Sequence, residues 1–191
     1  ISFHKAAKAC GKIFVIDIYT ASLFRELKKL GNDDLPVPSL LRPDIRVFSP
    51  LVLSNKMGKL LGKKSVKSFR AYRITGKMIG KKQNQVVMLI RPSMLPELKG
   101  MRLKPGVLIF SMWQVYRQKS YQIRLEEYLR SRGFSDCYLH TSGHAFEEDI
   151  RKLITGLSPK EIVPIHTICP EAFFKFHHEV ALQKDGVSFT I

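Results

Sequence analysis

The sequence predicts an α/β fold whose mainly parallel sheet is covered by helices on both faces. Short apolar runs rich in β-branched residues follow a glycine or a short polar stretch. Each run precedes a segment in which apolar residues have helical spacing. This repeated order is typical of parallel sheets, whose strands are apolar throughout because both of their faces are buried. At 191 residues the chain can bury the core of one domain or of two small ones.

The first predicted elements are a helix, a strand and a second helix. Residues 1–11 have the pattern of the end of an amphipathic helix and lack an initiator methionine, so we expect the natural N-terminus to lie upstream. Residues 12–17 (KIFVID) are a predicted buried strand, and the helix after them ends at Gly31. Asp17 at the strand end is either a ligand or the cap of that helix, and capping is the favoured interpretation.

Three further strands follow a proline-rich loop over residues 32–43. They are predicted at 45–48, at 85–90 (QVVMLI) and at 106–112 (GVLIFSM), and a long helix is predicted at 116–130. Together with the first strand they define the predicted parallel sheet.

The charge of the chain is strongly positive. Thirty-two Lys and Arg against sixteen Asp and Glu give a formal net charge of +16 and a pI near 9.9. Such an excess favours a polyanionic partner, with nucleic acid first and an anionic membrane surface second. A basic surface that binds nothing is the plain alternative.

Much of this charge lies between Ile45 and Pro96, a span without any Asp or Glu. Apolar residues alternate with the cations, so we expect helices that have one basic side and one apolar side. The apolar side would carry Met57, Leu60, Leu61, Phe69 and Tyr72. Uniformly basic faces bind phosphates by releasing counterions, whereas a solvated face usually carries both signs. The predicted nucleic-acid-binding residues are Lys56, Lys59, Lys63, Lys64, Lys67, Arg70, Arg73, Lys77, Lys81 and Lys82.

Cysteine usage and hydropathy bear on the compartment. Cys10, Cys137 and Cys169 are widely spaced and form no CxxC pair, which indicates free thiols in a reducing, cytoplasmic compartment. No run reaches the length of a transmembrane helix, and no signal-peptide pattern is present.

The C-terminal part predicts a strand-helix-strand unit with a histidine after each strand. The strands are residues 137–139 and 161–165, and the histidines are His140 and His166. Because the carboxyl ends of strands face the ligand crevice in open α/β sheets, this pattern favours a site. Residues 170–178 are predicted to be helical, followed by a hairpin formed by 179–183 and 186–191. Three histidines without supporting context are interpreted as surface residues: His4, His177 and His178.

The positions of two histidines bear on the chemistry of this site. His144 stands between Gly143 and Ala145 at the start of the predicted helix, where free backbone N–H groups favour an anion. There it could contact a phosphate or donate a proton to a leaving oxygen. His166 is either a metal ligand or an ordinary turn or core histidine.

The segment HTSGHAFEEDIRKLITGLSPKEIVPIH at residues 140–166 resembles the C-terminal signature of the β-CASP metallo-β-lactamase nucleases, the group of ribonuclease J and the pre-mRNA cleavage endonuclease. Its SGHA box is similar to their motif B, and Pro-Ile-His is similar to their motif C. The resemblance implies that residues 1–132 form an inserted, doubly wound β-CASP domain. Residues 133–191 then complete a metallo-β-lactamase αββα sandwich.

The same resemblance implies functional roles. His144 and His140 would be catalytic, Ser142 and Gly143 would help His144 hold the scissile phosphate, and His166 would bind one of two zinc ions. The full protein would be a cytoplasmic, zinc-dependent ribonuclease. Its expected partners are RNA, a second copy in a homodimer, and the remaining half of the metallo-β-lactamase domain. A membrane is not among the expected partners.

One departure from the family pattern is large. The zinc box His-x-His-x-Asp-His does not occur in this chain, so we expect it to be a C-terminal portion that binds little or no zinc and does not cleave RNA alone. The rival hypothesis is a non-catalytic nucleic-acid-binding or assembly subunit of the same type. A hydrolase acting on DNA or on small substrates is a third alternative.

Overall fold

The structure is a computed structural model that describes residues 1–140, 143, 145–184 and 186–188. The chain divides into two compact units, Ile1–His140 and Thr141–Ile191. The α-helices are α1 Ser2–Ala9, α2 Ile18–Lys29, α3 Leu51–Leu61, α4 Lys63–Lys67, α5 Gly76–Lys81, α6 Leu95–Gly100, α7 Ser120–Ser131 and α8 Glu147–Leu157. The strands are β1 Ile13–Asp17, β2 Ile45–Phe48, β3 Arg73–Ile74, β4 Val86–Met88, β5 Val107–Phe110 and β6 Ser135–Tyr138. No helix among the described residues is long and apolar enough to cross a membrane.

Two parallel sheets form the first unit. The larger has the strand order β3-β2-β1-β4, and the smaller pairs β5 with β6. The predicted α/β class and the mainly parallel pairing are therefore confirmed. The prediction that residues 106–112 join the other strands in one sheet is wrong, because β5 takes its partner from the segment after α7. The division into domains at residue 132 stays a prediction.

Strand β1 separates two apolar cores. Successive side chains of a strand point to opposite faces, so Val15 enters one cluster with Leu98 and Leu125. Phe14 and Ile16 enter a second cluster, which includes residues of α1, β2 and α3. The larger sheet is therefore covered on both faces, as the continuous apolar run at 12–17 predicts. By contrast, the alternate residues Val107 and Ile109 of β5 are 60% and 41% exposed.

Several local expectations for the first unit are wrong. The long helix begins at Ser120, because residues Gln114–Gln118 form a separate 3₁₀ turn. Leu60 and Leu61, predicted on the apolar side of a basic helix, are 67% and 45% exposed. For Met57 and Phe69 the predicted apolar side is confirmed, because they are only 4% and 3% exposed.

His4 is not a surface residue. Its side chain is 13% exposed, and its Nε2 atom lies 2.8 Å from Oδ2 of Asp44, which connects α1 to the start of β2. Burial acts to raise the pKa of the Asp44 carboxyl, but the hydrogen bond with His4 and the nearby positive charges outweigh it. The net result is a pKa below the ordinary value for an aspartate.

The second unit lacks one predicted strand. Over residues 161–165 only an isolated parallel bridge forms, between Ile162 and Val180. Pro164 has no N–H to donate to a ladder, so pairing does not extend beyond this bridge. No strand is present in the described part of the predicted hairpin, although the N–H of Val187 donates to the carbonyl of Lys184 across the tight turn. The helix predicted at 170–178 is a 3₁₀ helix over Pro170–Lys175.

Two helical glycines provide a matched test of the first unit. A Cβ atom at Gly80 would overlap the backbone carbonyl oxygen of Met101, whereas one at Gly58 would meet nothing within 4 Å. We expect Gly80→Ala to lower the free energy of unfolding by about 1–3 kcal/mol. Gly58→Ala is expected to raise it by about 0.5–1 kcal/mol, because alanine is the better helix former. Urea unfolding of both variants checks this, and equal effects would contradict the packing of α5 against Met101.

Candidate nucleic-acid interface

The ten basic residues between Lys56 and Lys82 that are predicted to bind nucleic acid all lie on the surface, and we call them the basic segment. Every one of these side chains is exposed, and none forms an ion pair with any described residue. They lie on α3, α4, the turn and short strand that follow, and α5. Their charge is therefore available to an external anion.

Helical spacing brings these cations together in small groups. On α4, Lys67 follows Lys64 by three residues and Lys63 by four, and on α5 Lys81 follows Lys77 by four. Residues at such spacing are neighbours on a helix surface. Each helix thus presents adjacent ammonium groups, an arrangement that attracts phosphates more strongly than scattered charges do.

Arg25 of α2 fixes the position of α4. Its guanidinium group donates hydrogen bonds to the hydroxyl of Ser68 at 2.7 Å and to that of Ser65 at 2.5 Å. It also lies over the ring of Phe69, 4.4 Å from the ring centroid, and Phe69 is 3% exposed. The short helix is therefore held by polar contacts and by a buried aromatic ring, so its lysines project from a fixed position.

Arg117, which lies outside the basic segment, is neutralised by acids. Arg117 pairs with Glu126 at 3.2 Å and also with Asp136. The hydrogen bond with Asp136 is the main cause that raises the pKa of Arg117 above the ordinary value for arginine. Some cations of the chain thus have acidic partners, whereas none of the ten in the basic segment has one among the described residues.

Asp17 has the predicted capping role. Its Oδ1 atom accepts the N–H of Thr20 at 2.7 Å, at the start of α2. The Nε atom of Arg91 donates to Oδ2 at 2.6 Å, so Asp17 is both a helix cap and the acceptor of an ion pair. Arg91 follows β4 in the same acid-free span, but its guanidinium group is paired with Asp17 within the fold.

The predicted histidine site is only partly described. Ser142 and His144 lie outside the described residues, and Gly143 is exposed. His140 lies two residues after the end of β6, and its Nδ1 atom lies 3.1 Å from the carbonyl oxygen of Ser111. His166 belongs to the second unit, is exposed and has a left-handed backbone with φ of 55°. Since no strand forms before it, the expectation that His166 ends a strand is wrong.

The described residues do not fit a zinc site. Within ranges 1–140, 143, 145–184 and 186–188, no group of three or more His, Cys, Asp or Glu side chains could hold a metal ion. Zinc in proteins takes three or four such ligands, so His166 alone cannot supply the coordination that the resemblance implies.

Comparison with known families gives one match. Residues 137–172 match the family model described as the Zn-dependent metallo-hydrolase RNA specificity domain. This match supports the predicted relation of the segment to metallo-β-lactamase-type hydrolases that act on RNA, and with it zinc as the metal of complete members. The ribonuclease J-like β-CASP assignment stays a prediction. Searches among curated proteins and among solved structures found no match.

Two features of the surface were not predicted from the sequence. Arg25 lies on a helix before the basic segment, and its role depends on contacts across 40 and 43 residues of chain. Trp113 lies between the predicted strand at 106–112 and the predicted helix that begins at Tyr116, and neither residue was expected to form a surface, yet both are about half exposed. A signal was present in the sequence, since two large aromatic residues stand three apart directly after an apolar strand.

Proposed function

We propose that this chain binds RNA through the basic segment and serves as the RNA-recognition part of a zinc-dependent hydrolase. One observation carries the proposal, namely the ten exposed cations without acidic partners among the described residues. They occur in a chain whose residues 137–172 match an RNA specificity domain.

The chemistry of the basic segment suits a phosphodiester backbone. Each ammonium or guanidinium group that approaches a phosphate releases condensed counterions, and this release drives binding independently of base sequence. The anchored α4 helix supplies three adjacent lysines in a fixed arrangement, which lowers the entropy lost on binding. The basic segment would therefore position the RNA backbone.

The finer proposal is a β-CASP ribonuclease of the ribonuclease J type, acting in the cytoplasm. In it His144, with Ser142 and Gly143, would contact the scissile phosphate, His140 would assist, and His166 would be one zinc ligand. The remaining ligands would come from a zinc-binding half that this chain does not include. The chain alone would then bind RNA without cleaving it.

A second candidate is a non-catalytic RNA-binding or assembly subunit. It requires no metal, in keeping with the described part of the chain, which shows no group of side chains that could hold one. The two candidates differ in a complete protein. Cleavage of labelled RNA that requires zinc and is lost in His166→Ala, with RNA affinity unchanged, supports the enzyme, whereas metal-independent binding without cleavage supports the subunit.

RNA binding by the chain is tested by a salt titration. We expect the affinity for a labelled single-stranded RNA, measured by fluorescence anisotropy, to fall steeply between about 50 and 200 mM monovalent salt. Engagement of four or five phosphates would give a log–log slope of about −3, at about −0.7 per phosphate for single strands. An affinity that does not change with salt would contradict the proposal.

A further inference from the structure

The carboxyl end of the smaller sheet presents large aromatic rings to solvent. Trp113 is 58% exposed, Tyr116 46% and Tyr138 45%, and Met112 beside them is 47% exposed. Burial of rings this large contributes strongly to folding, so soluble domains usually enclose them. A cluster of exposed rings at one edge of a sheet is typical of a binding surface.

The strand register brings the rings of Phe110 and Tyr138 together at one edge of the smaller sheet. Phe110 and Tyr138 are partners at the ends of β5 and β6, with ring centroids 6.2 Å apart and planes inclined by only 25°. Beyond β5 and β6 the two segments continue side by side, since the N–H of Leu139 donates to the carbonyl of Phe110 and His140 contacts the carbonyl of Ser111. The His140 ring lies 6.3 Å from that of Tyr138.

Trp113 and Tyr116 form a second pair of rings at the 3₁₀ turn that follows β5 in the chain. Their ring centroids are 6.3 Å apart at an angle of 82°, and the N–H of Tyr116 donates to the carbonyl of Trp113 at 3.0 Å. Arg117 lies over the ring of Phe110 at 4.7 Å and is itself fixed by Glu126 and Asp136. The rings are thus held by short-range contacts rather than placed on a free loop.

We propose that these rings, Trp113, Tyr116 and Tyr138 with His140, form a stacking surface for the unpaired bases of single-stranded RNA. The inference rests on the proposed RNA binding and adds the form of RNA that is bound. Aromatic side chains stack on any base, because every base has a π-face, and the contribution per base is large. In a duplex those faces are covered by neighbouring bases, so the surface discriminates between single and double strands.

Two observations favour RNA bases as the occupant. The chain carries a net charge of +16, so a polyanion is drawn to it from solution. The match to an RNA specificity domain begins at Cys137 and therefore includes Tyr138 and His140. The basic segment would hold phosphates regardless of base pairing, and the aromatic surface would add the preference for unpaired bases.

Trp113 is the single tryptophan of the chain, so its fluorescence reports on this surface directly. The test titrates the 191-residue chain with a short oligoadenylate and with an RNA duplex of the same length. We expect quenching of the Trp113 emission by the single strand and little by the duplex. Trp113→Ala and Tyr116→Ala should each weaken single-strand affinity about tenfold by anisotropy, with duplex affinity unchanged, and Trp113→Phe should retain most of it.

The matched control is Phe174→Ala, which removes an aromatic ring that is 51% exposed in the second unit and should leave both affinities unchanged. The inference is overturned if Trp113→Ala binds single strands normally, if it weakens both RNA forms equally, or if it changes only the oligomeric state measured by sedimentation. The last outcome would identify the surface as an interface between copies of the chain. Failure of the proposed function differs from all of these, because neither RNA form would then bind.

Discussion

Replacement of Lys63, Lys64 and Lys67 together by glutamine is expected to weaken binding of single-stranded RNA by tenfold or more at about 0.1 M salt. These lysines are adjacent on α4, exposed and without acidic partners among the described residues. Loss of three phosphate contacts should also reduce the log–log salt slope by about 2. Anisotropy titrations of the wild-type and triple variant at four salt concentrations measure both quantities.

The fold should not change in this triple variant. Glutamine has nearly the helix propensity of lysine, and Arg25, Ser65 and Phe69, which anchor α4, are kept. Removal of mutually repelling charges is neutral or mildly favourable for the short helix. An affinity change therefore reports on RNA contact, provided that urea unfolding of the variant matches that of the wild type.

Net charge alone offers a competing explanation, and a second triple variant excludes it. Lys5, Lys28 and Lys99 are exposed, lie on α1, α2 and α6, and form no ion pair with described residues. Their replacement by glutamine removes the same charge from other parts of the surface. We expect a much smaller loss of affinity, and equal losses in the two triple variants would contradict a localised interface.

The elements that were predictable from the sequence are those whose local pattern agrees with their burial. The run at 12–17 is apolar on both faces, and β1 lies between two cores. Strand pairing was not predictable from local pattern, because it is decided by contacts between distant segments. β5 pairs with β6 beyond α7, and the local pattern at 106–112 does not distinguish that partner from β4.

The exposure of the basic segment was predictable because composition carries that information, whereas its binding of nucleic acid stays a prediction. An acid-free span offers its cations no acidic partner nearby in the sequence, so the exposure and the lack of partners of the basic segment agree with this count. The histidine site needed a strand at 161–165 to place His166, and the proline at 164 limits pairing there to one bridge. Ser142 and His144, on which the phosphate site depends, lie outside the described residues.

Counting acids along the sequence does not predict every ion pair. Arg91 lies in the same acid-free span, yet it pairs with an acid 74 residues away. Asp17 is completely buried, whereas the side chain of Arg91 is 39% exposed. We therefore expect Arg91→Met to lower the free energy of unfolding by about 3 kcal/mol. This is the lower end of the range for breaking a buried pair, because water can partly reach the vacated position.

Asp17 and Arg91 differ in burial, so comparing the variants of both residues tests the pair more sharply than Arg91→Met alone. Asp17→Asn keeps an oxygen that can accept the N–H of Thr20, and it leaves behind an arginine that solvent can reach, so we expect a loss of only about 1 kcal/mol. Adding Asp17→Asn to Arg91→Met removes the uncompensated buried charge and should restore stability relative to Arg91→Met alone. Urea unfolding of the four proteins, without RNA, completes the cycle. If Asp17→Asn cost more than Arg91→Met, or if the double variant were the least stable, the buried carboxylate would not be what Arg91 stabilises.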